Sequence, residues 1–348
     1  MERMLIADLS PTSGEKAGAD APIERATLRN DLGMELSVID FGCAITRIVV
    51  PDRQGRFGNV MLSLPDPEAY RTSRGRHGSV VGRYAGRIAG AALTIDGEEI
   101  HLTPGPTGHA LHSDPDGFDH RLWQGRGIAD EDSVGRVFSL HCPEGDQGYP
   151  GTLDVEVTYR LMRKRNEFRI DYAARTSAPT AINLTQHGYF NLAGAGSTGV
   201  ASHKVTIPAD RFAVVGDDQI PTGELRGVSG TDLDFRQGRV LGEHPTYDDS
   251  LFLGADGVLK LAAIVEEPGS GRRLEIQTTE PSLQLYTAGK FKGADMGAEG
   301  HPYQRNDGVA LETQHLPDSP HHPDFPSTIL RPGEEFRSLT VYRFSVTD

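Results

Sequence analysis

The stretch Leu153-Asp-Val-Glu-Val-Thr-Tyr-Arg-Leu161 is followed by the polar turn Arg163-Lys-Arg-Asn166 and then by Phe168-Arg-Ile-Asp-Tyr-Ala-Ala-Arg175. Leu153, Val155, Val157, Tyr159 and Leu161 recur with a period of two, as do Phe168, Ile170, Tyr172 and Ala174. The residues between them are polar or charged, apart from Ala173. Side chains of a strand alternate between its faces, so this spacing predicts a hairpin with one face in a core and the other in water. Similar runs read as strands at 35–39, 45–50, 204–207, 259–265, 274–278 and 339–346. The best helical segment is short, Asp66–Arg71. Many short strands separated by glycine and proline turns predict an all-β fold, a large antiparallel β-sandwich. We expect one domain over residues 23–348, preceded by a disordered lead-in, residues 1–22.

Composition narrows the function. The 348 residues carry 35 Lys and Arg against 49 Asp and Glu, a net charge of −14. Nucleic acid and anionic membrane need a basic footprint, so neither is an expected partner. Cys43 and Cys142 match no zinc or redox spacing and read as buried thiols. The N-terminal segment lacks the apolar stretch of a signal peptide, and no run approaches a membrane span. These readings favour a cytoplasmic protein.

Chemistry concentrates in two segments. Gly308 to Gly333 reads GVALETQHLPDSPHHPDFPSTILRPG. Glu312 ends the apolar run Val309–Leu311, where partial desolvation would raise its pKa and make it a usable base. The prolines that follow fix φ and suit a rigid wall. An ordinary strand-end glutamate reads equally well on this segment alone. In Ile182-Asn-Leu-Thr-Gln-His-Gly-Tyr-Phe-Asn-Leu192, alternation places Asn183, Thr185, His187, Tyr189 and Asn191 on one face. A face of hydrogen-bonding side chains with an aromatic suits a polar cleft, such as a sugar site, with His187 as a general acid. Taken alone, His187 also reads as a half-buried histidine satisfied by its neighbours.

Other segments are less decisive. Arg83 and Arg87 lie among small residues in Gly82–Gly90, where either could meet a ligand or form a structural ion pair. Thirteen histidines raise the question of a metal, but no HExxH occurs and no metal is expected. Gly194-Ala-Gly-Ser-Thr-Gly199 matches a dinucleotide fingerprint by letter, yet it leads into a strand and not a helix.

Together these segments resemble the aldose 1-epimerase (galactose mutarotase) family. The matches run in family order from about Ala26 to Phe344: GMELSVIDFGCAITRIVVPDRQG, GRYAGRIAGA, HALHSDPDGFDHRLW, GYPGTLDVEVTYRL, INLTQHGYFNLAG, YDDSLFL, LQLYT and ETQHLPDSPHHPDFPSTILRPGEEF. The resemblance implies a large antiparallel β-sandwich, the supersandwich of the galactose mutarotases. It also implies interconversion of the α and β anomers of a free aldose without a cofactor. It makes Glu312 the base and His187 the acid, and it makes Arg87, His112, Asp248 and Gln284 the residues that position the sugar.

Three departures bear on the binding rim. Gly86 stands where the family usually has Asn. The family's Asn-x-Leu-His-Gly-Gly appears as His109-Ala-Leu-His112-Ser113-Asp114, and the neighbour of Asp248 is Asp249. The expected partner is a small monosaccharide, bound by a monomer or homodimer. Two other readings remain open at this stage. One is a non-catalytic carbohydrate-binding module. The other is an epimerase of a phosphorylated or modified sugar, for which Arg71, Arg74, Arg76 and Arg83 would supply the cations.

Overall fold

The computed structural model describes residues 21–242 and 246–347. The expected lead-in lies outside the described residues except for its last two positions.

The hairpin read from the sequence is present. Strand Leu153–Met162 pairs antiparallel with Glu167–Thr176, from Leu153 opposite Thr176 to Leu161 opposite Phe168. The apolar face is closed to water, while Asp154 and Glu156 on the other face are exposed. Each such buried aliphatic side chain contributes about 1.5–3 kcal/mol, which fixes the register, because a slip of one residue would turn the whole apolar set outward.

The hairpin lies within a nine-stranded sheet. In spatial order its strands are 124–129, 133–142, 153–162, 167–176, 336–346, 272–278, 260–266, 204–206 and 239–240. A six-stranded sheet has the order 189–190, 309–314, 282–286, 248–252, 211–215 and 221–227. Every pairing within both sheets is antiparallel. One apolar cluster draws on both: Val155, Ile170, Leu274 and Tyr342 from the larger, Leu251, Leu283, Leu285 and Leu311 from the smaller. The fold is the all-β antiparallel sandwich that the alternation predicts.

Helix is sparse, as expected; the one α-helix among the described residues is Ala69–Thr72. No described helix is long and apolar enough to cross a membrane. Cys43 and Cys142 are buried free thiols.

Residues 182–192 depart from the expectation of one continuous strand. Asn183 makes an isolated parallel bridge with Tyr84, and Thr185–Gln186 and Tyr189–Phe190 form two short strands with different partners. Gly188 lies between them, and its amide donates to Gln186 Oε1 at 2.7 Å. The side chains of Asn183, Thr185 and Asn191 bond backbone carbonyls and do not reach the cleft.

Candidate active site

The smaller sheet turns its leucines toward the larger sheet and its polar residues away from it. Because side chains alternate, Glu312 faces the opposite way from Leu311, and Gln284 from Leu283 and Leu285. Gln284 and Glu312 are direct cross-strand neighbours, with Asp248 on the next strand and Tyr189 on the strand beyond Glu312. Four side chains on adjacent strands thus form a row, Tyr189, Glu312, Gln284 and Asp248. All four line a cleft of about 590 Å³, a size typical of small-molecule sites. Tyr286, on the Gln284 strand, and Phe291 add aromatic wall beside Tyr189.

All six residues expected to act meet here: Glu312, His187, Arg87, His112, Asp248 and Gln284. His187 Nε2 lies 3.5 Å from Glu312 Oε1, and both side chains are buried. Glu312 Oε2 has no hydrogen-bond partner among the described residues. Gln284 donates to Asp248 Oδ1 at 2.8 Å and accepts from Ser250. Asp248 Oδ2 also has Arg87 Nη2 at 4.0 Å and Lys290 Nζ at 3.9 Å.

The backbone explains why these groups stay in place. His187 N donates to Ser79 O at 2.8 Å and Gly78 N to His187 O at 3.1 Å, so the loop 76–79 clamps the histidine. His112 N donates to Gly86 O, and His112 Nδ1 accepts from Gly86 N at 3.1 Å. The proline-rich segment after Glu312 is the wall read from the sequence. Pro317 lines the cleft, Asp318 N donates to Arg87 O, and Asp318 Oδ1 accepts from Ala89 N. At its start, Asn183 donates to the carbonyls of Ala85 and His315 and accepts from His315 N, joining the strand of Glu312 to the loop of Arg87. Three residues past Glu312, buried His315 is held between Glu280 at 2.7 Å and Asp256 at 3.4 Å. Despite burial, these carboxylates raise the imidazole to about 9.

Burial sets the protonation of the pair. It raises Glu312 to about 8, with Asp248 adding to the rise and Arg76 and Arg87 opposing it. It lowers His187 to about 3, helped by Arg76. Desolvation disfavours both charged forms, so between these limits the pair holds one proton, resting on the carboxyl while the imidazole is neutral. The base and acid roles that the resemblance implies require that proton to move across the 3.5 Å gap.

His112, His187 and Glu312 bring ligand atoms within 4.8 Å of one another, a set that could hold a metal ion. The tautomer of His112 opposes this. With Nδ1 accepting from Gly86, a neutral ring carries its hydrogen on Nε2. Nε2 is then a donor for a hydroxyl and not a ligand, leaving two ligands where catalytic zinc uses three.

Several expectations need correction. Arg83 does not face the cleft; it is buried against Pro150 O, Gly151 O and Thr180 Oγ1. Arg71 pairs with Glu68. Of the four arginines considered for a phosphate, Arg74 and Arg76 line the cleft, and Arg76 is paired to Asp114 at 2.6 Å. His109 lies off the cleft, its Nδ1 accepting from Gly90 N. The sequence offered Arg76 only as a cation for a phosphate, and its pairing across 38 positions to Asp114 was not foreseen. The unusual Asp114 was the available signal.

The sequence profile of the aldose 1-epimerase family matches residues 24–343. The chain is 40% identical over 339 residues to the galactose mutarotase of Rattus norvegicus, spanning 96% of this chain and 97% of that protein. It is 38% identical over 336 residues to the aldose 1-epimerase of Escherichia coli strain K12, spanning 93% and 95%. The chain belongs to the aldose 1-epimerase family. The crystal structure of an aldose epimerase homologue from C. elegans superposes with a TM-score of 0.86 at 31% identity, covering 94% of this chain and all of that one. A galactose 1-epimerase from Lactobacillus acidophilus shares the fold, with a TM-score of 0.82 at 24% identity and coverage of 94% and 99%. The sandwich is therefore that of the galactose mutarotases, and the family activity is mutarotation of an aldose, an isomerase reaction. The relatives are enzymes, which favours catalysis over a binding module.

Proposed function

We propose that this mutarotase works by passing one proton pair between Glu312, His187 and a free aldose. The 3.5 Å approach of His187 to Glu312 at the centre of the cleft carries the reading. In ring opening the Glu312 carboxylate takes the proton of the C1 hydroxyl and the His187 imidazolium protonates the ring oxygen. The C1–O5 electrons go to O5 as C1 becomes an aldehyde. Rotation about C1–C2 turns the other carbonyl face toward O5. In closure O5 attacks C1, neutral His187 takes the O5 proton, and the Glu312 carboxyl returns its proton to O1. Opening uses the charged form of the pair and closure the neutral form, so one proton serves both.

Asp248 and Gln284 fit adjacent ring hydroxyls, His112 donates a hydrogen bond from Nε2, and Arg87 supplies a fixed cation for charge developing on the ring oxygen. Residues 23–348 then act as one catalytic domain. The net charge of −14 fits a cytoplasmic enzyme of small sugars, working as a monomer or homodimer without a nucleic-acid or membrane partner. Polarimetry on glucose, galactose, xylose and arabinose tests the function. Glu312→Gln and His187→Asn should each lose catalysed mutarotation by about 10²–10⁴-fold, while sugar binding by calorimetry persists. Near-full activity in Glu312→Gln would overturn the assignment.

A further inference from the structure

The row of cleft residues has two ends. Asp248 and Arg87 occupy one; Tyr189 stands at the other, where His77, the neighbour of cleft-lining Arg76, has its ring centroid 5.6 Å from that of Tyr189. Arg76 has φ 53°, a left-handed conformation that costs a non-glycine residue free energy and persists only where surroundings hold it. Its carbonyl accepts from Ser79 N, and Ser79 O accepts from His187 N, so two hydrogen bonds separate it from the catalytic imidazole. Its side chain is 13% exposed, with Nη2 on Asp114 at 2.6 Å and Nε 3.4 Å from Asp119. Nη1 reaches only Arg74 O, at 3.5 Å, and Nε makes no hydrogen bond. Of the five N–H groups of an arginine, one on each terminal nitrogen therefore remains for another partner, on a side chain that lines the cleft.

We infer that Arg76, anchored by Asp114, is a positioning residue that donates to a sugar oxygen on the reacting C1–O5 edge, opposite the end held by Asp248. The inference rests on the acid–base reading above. Asp114 replaces a small residue of the family pattern, so this contact is particular to chains carrying both residues. The same guanidinium lies in the field of the pair. Glu312 lies within electrostatic reach of Asp248, Arg76, Arg87, His187 and the phenols of Tyr189, Tyr286 and Tyr342. His187 is faced by Arg76, His77, Lys290 and His112.

The experiment compares Arg76→Met, Arg76→Lys, Asp114→Asn and Glu312→Gln by polarimetry on galactose, with kcat, KM and the pH profile of kcat/KM for each. A hydrogen bond from a charged donor predicts that Arg76→Met loses about ten- to a hundredfold in kcat/KM. Its alkaline limb should move to higher pH, because a cation that favours the carboxylate is gone. Arg76→Lys should restore the limb and part of the rate, and Asp114→Asn should raise KM. Thermal melts establish folding; if Arg76→Met does not fold, the lysine and asparagine variants decide alone. A folded Arg76→Met with wild-type kcat/KM and an unmoved limb overturns the inference. So does an Asp114→Asn variant of unchanged KM, or an Arg76→Lys variant whose limb departs from that of the wild type. An active Glu312→Gln would instead sink the acid–base reading itself. An inactive one beside an unaffected Arg76→Met removes only the role of Arg76.

Discussion

Replacing Glu312 by glutamine should stabilise the protein, by an amount that depends on pH. The folded state holds this carboxyl at about 8 against an ordinary value of 4.5, chiefly through burial. A raised carboxyl costs nothing below its unfolded value, where both states bind the proton. As pH rises above 4.5 the unfolded chain releases a proton that the folded chain keeps, and stability falls until pH passes about 8. A tenfold change in proton affinity corresponds to about 1.4 kcal/mol. The full penalty is therefore about 5 kcal/mol above pH 8, and about 3 kcal/mol at pH 7. Glutamine keeps the shape and does not ionise. Urea denaturation of wild type and Glu312→Gln at pH 5, 7 and 9 reads the difference as midpoint and slope. The variant should gain little at pH 5, more at pH 7 and most at pH 9, while remaining inactive. A difference that does not change with pH, or a variant less stable than wild type at pH 9, would refute the electrostatic account of the site.

The pH profile of kcat/KM, which reports groups of the free enzyme, should be level near neutrality and fall tenfold per unit above about 8, where the pair loses its one proton; an enzyme equally active at pH 9.5 would contradict this. His315, raised to about 9 by Glu280 and Asp256, contributes stability that is complete below pH 6.5 and lost as pH rises through 9. His315→Gln strands buried Glu280 and should cost about 3–5 kcal/mol near pH 6.5, with the gap to wild type narrowing at pH 9.5 in denaturant melts. At Gly78, φ is +67° and an added Cβ would lie 2.0 Å from Ile45 O. Gly78→Ala should lower the melting temperature and, by shifting the clamp on His187, lower kcat; a fully active variant of unchanged melting temperature would argue against the clamp.

The long strands were legible because their alternation is local: residues 153–175 carry hairpin, turn and inner face in their own order. Glu312 and His187 stood out as candidates, through a carboxylate closing an apolar run and a polar face with no lysine, but only the family resemblance set them above their ordinary readings. Contacts between distant segments were hidden. Arg76 meets Asp114 over 38 positions and His315 meets Glu280 over 35, and no periodicity reports such pairs. Arg83 misled for the same reason, since small neighbours suit a ligand loop and a buried ion alike. The resting place of the shared proton depends on burial of both groups at once, which neither segment carries alone. The polar face of residues 183–191 was half right: His187 and Tyr189 reach the cleft, while the three other side chains tie down backbone.

The short gap between two buried side chains has a consequence for how the enzyme meets its solvent. In the proposed mechanism Glu312 and His187 leave each turnover with the proton they began with, so the catalytic cycle is closed and draws nothing from bulk water. Turnover then has no need of a buffer as proton carrier, whereas spontaneous mutarotation is driven by whatever acids and bases are dissolved around the sugar. The sheet has moved that general acid and base out of the medium and into a fixed place.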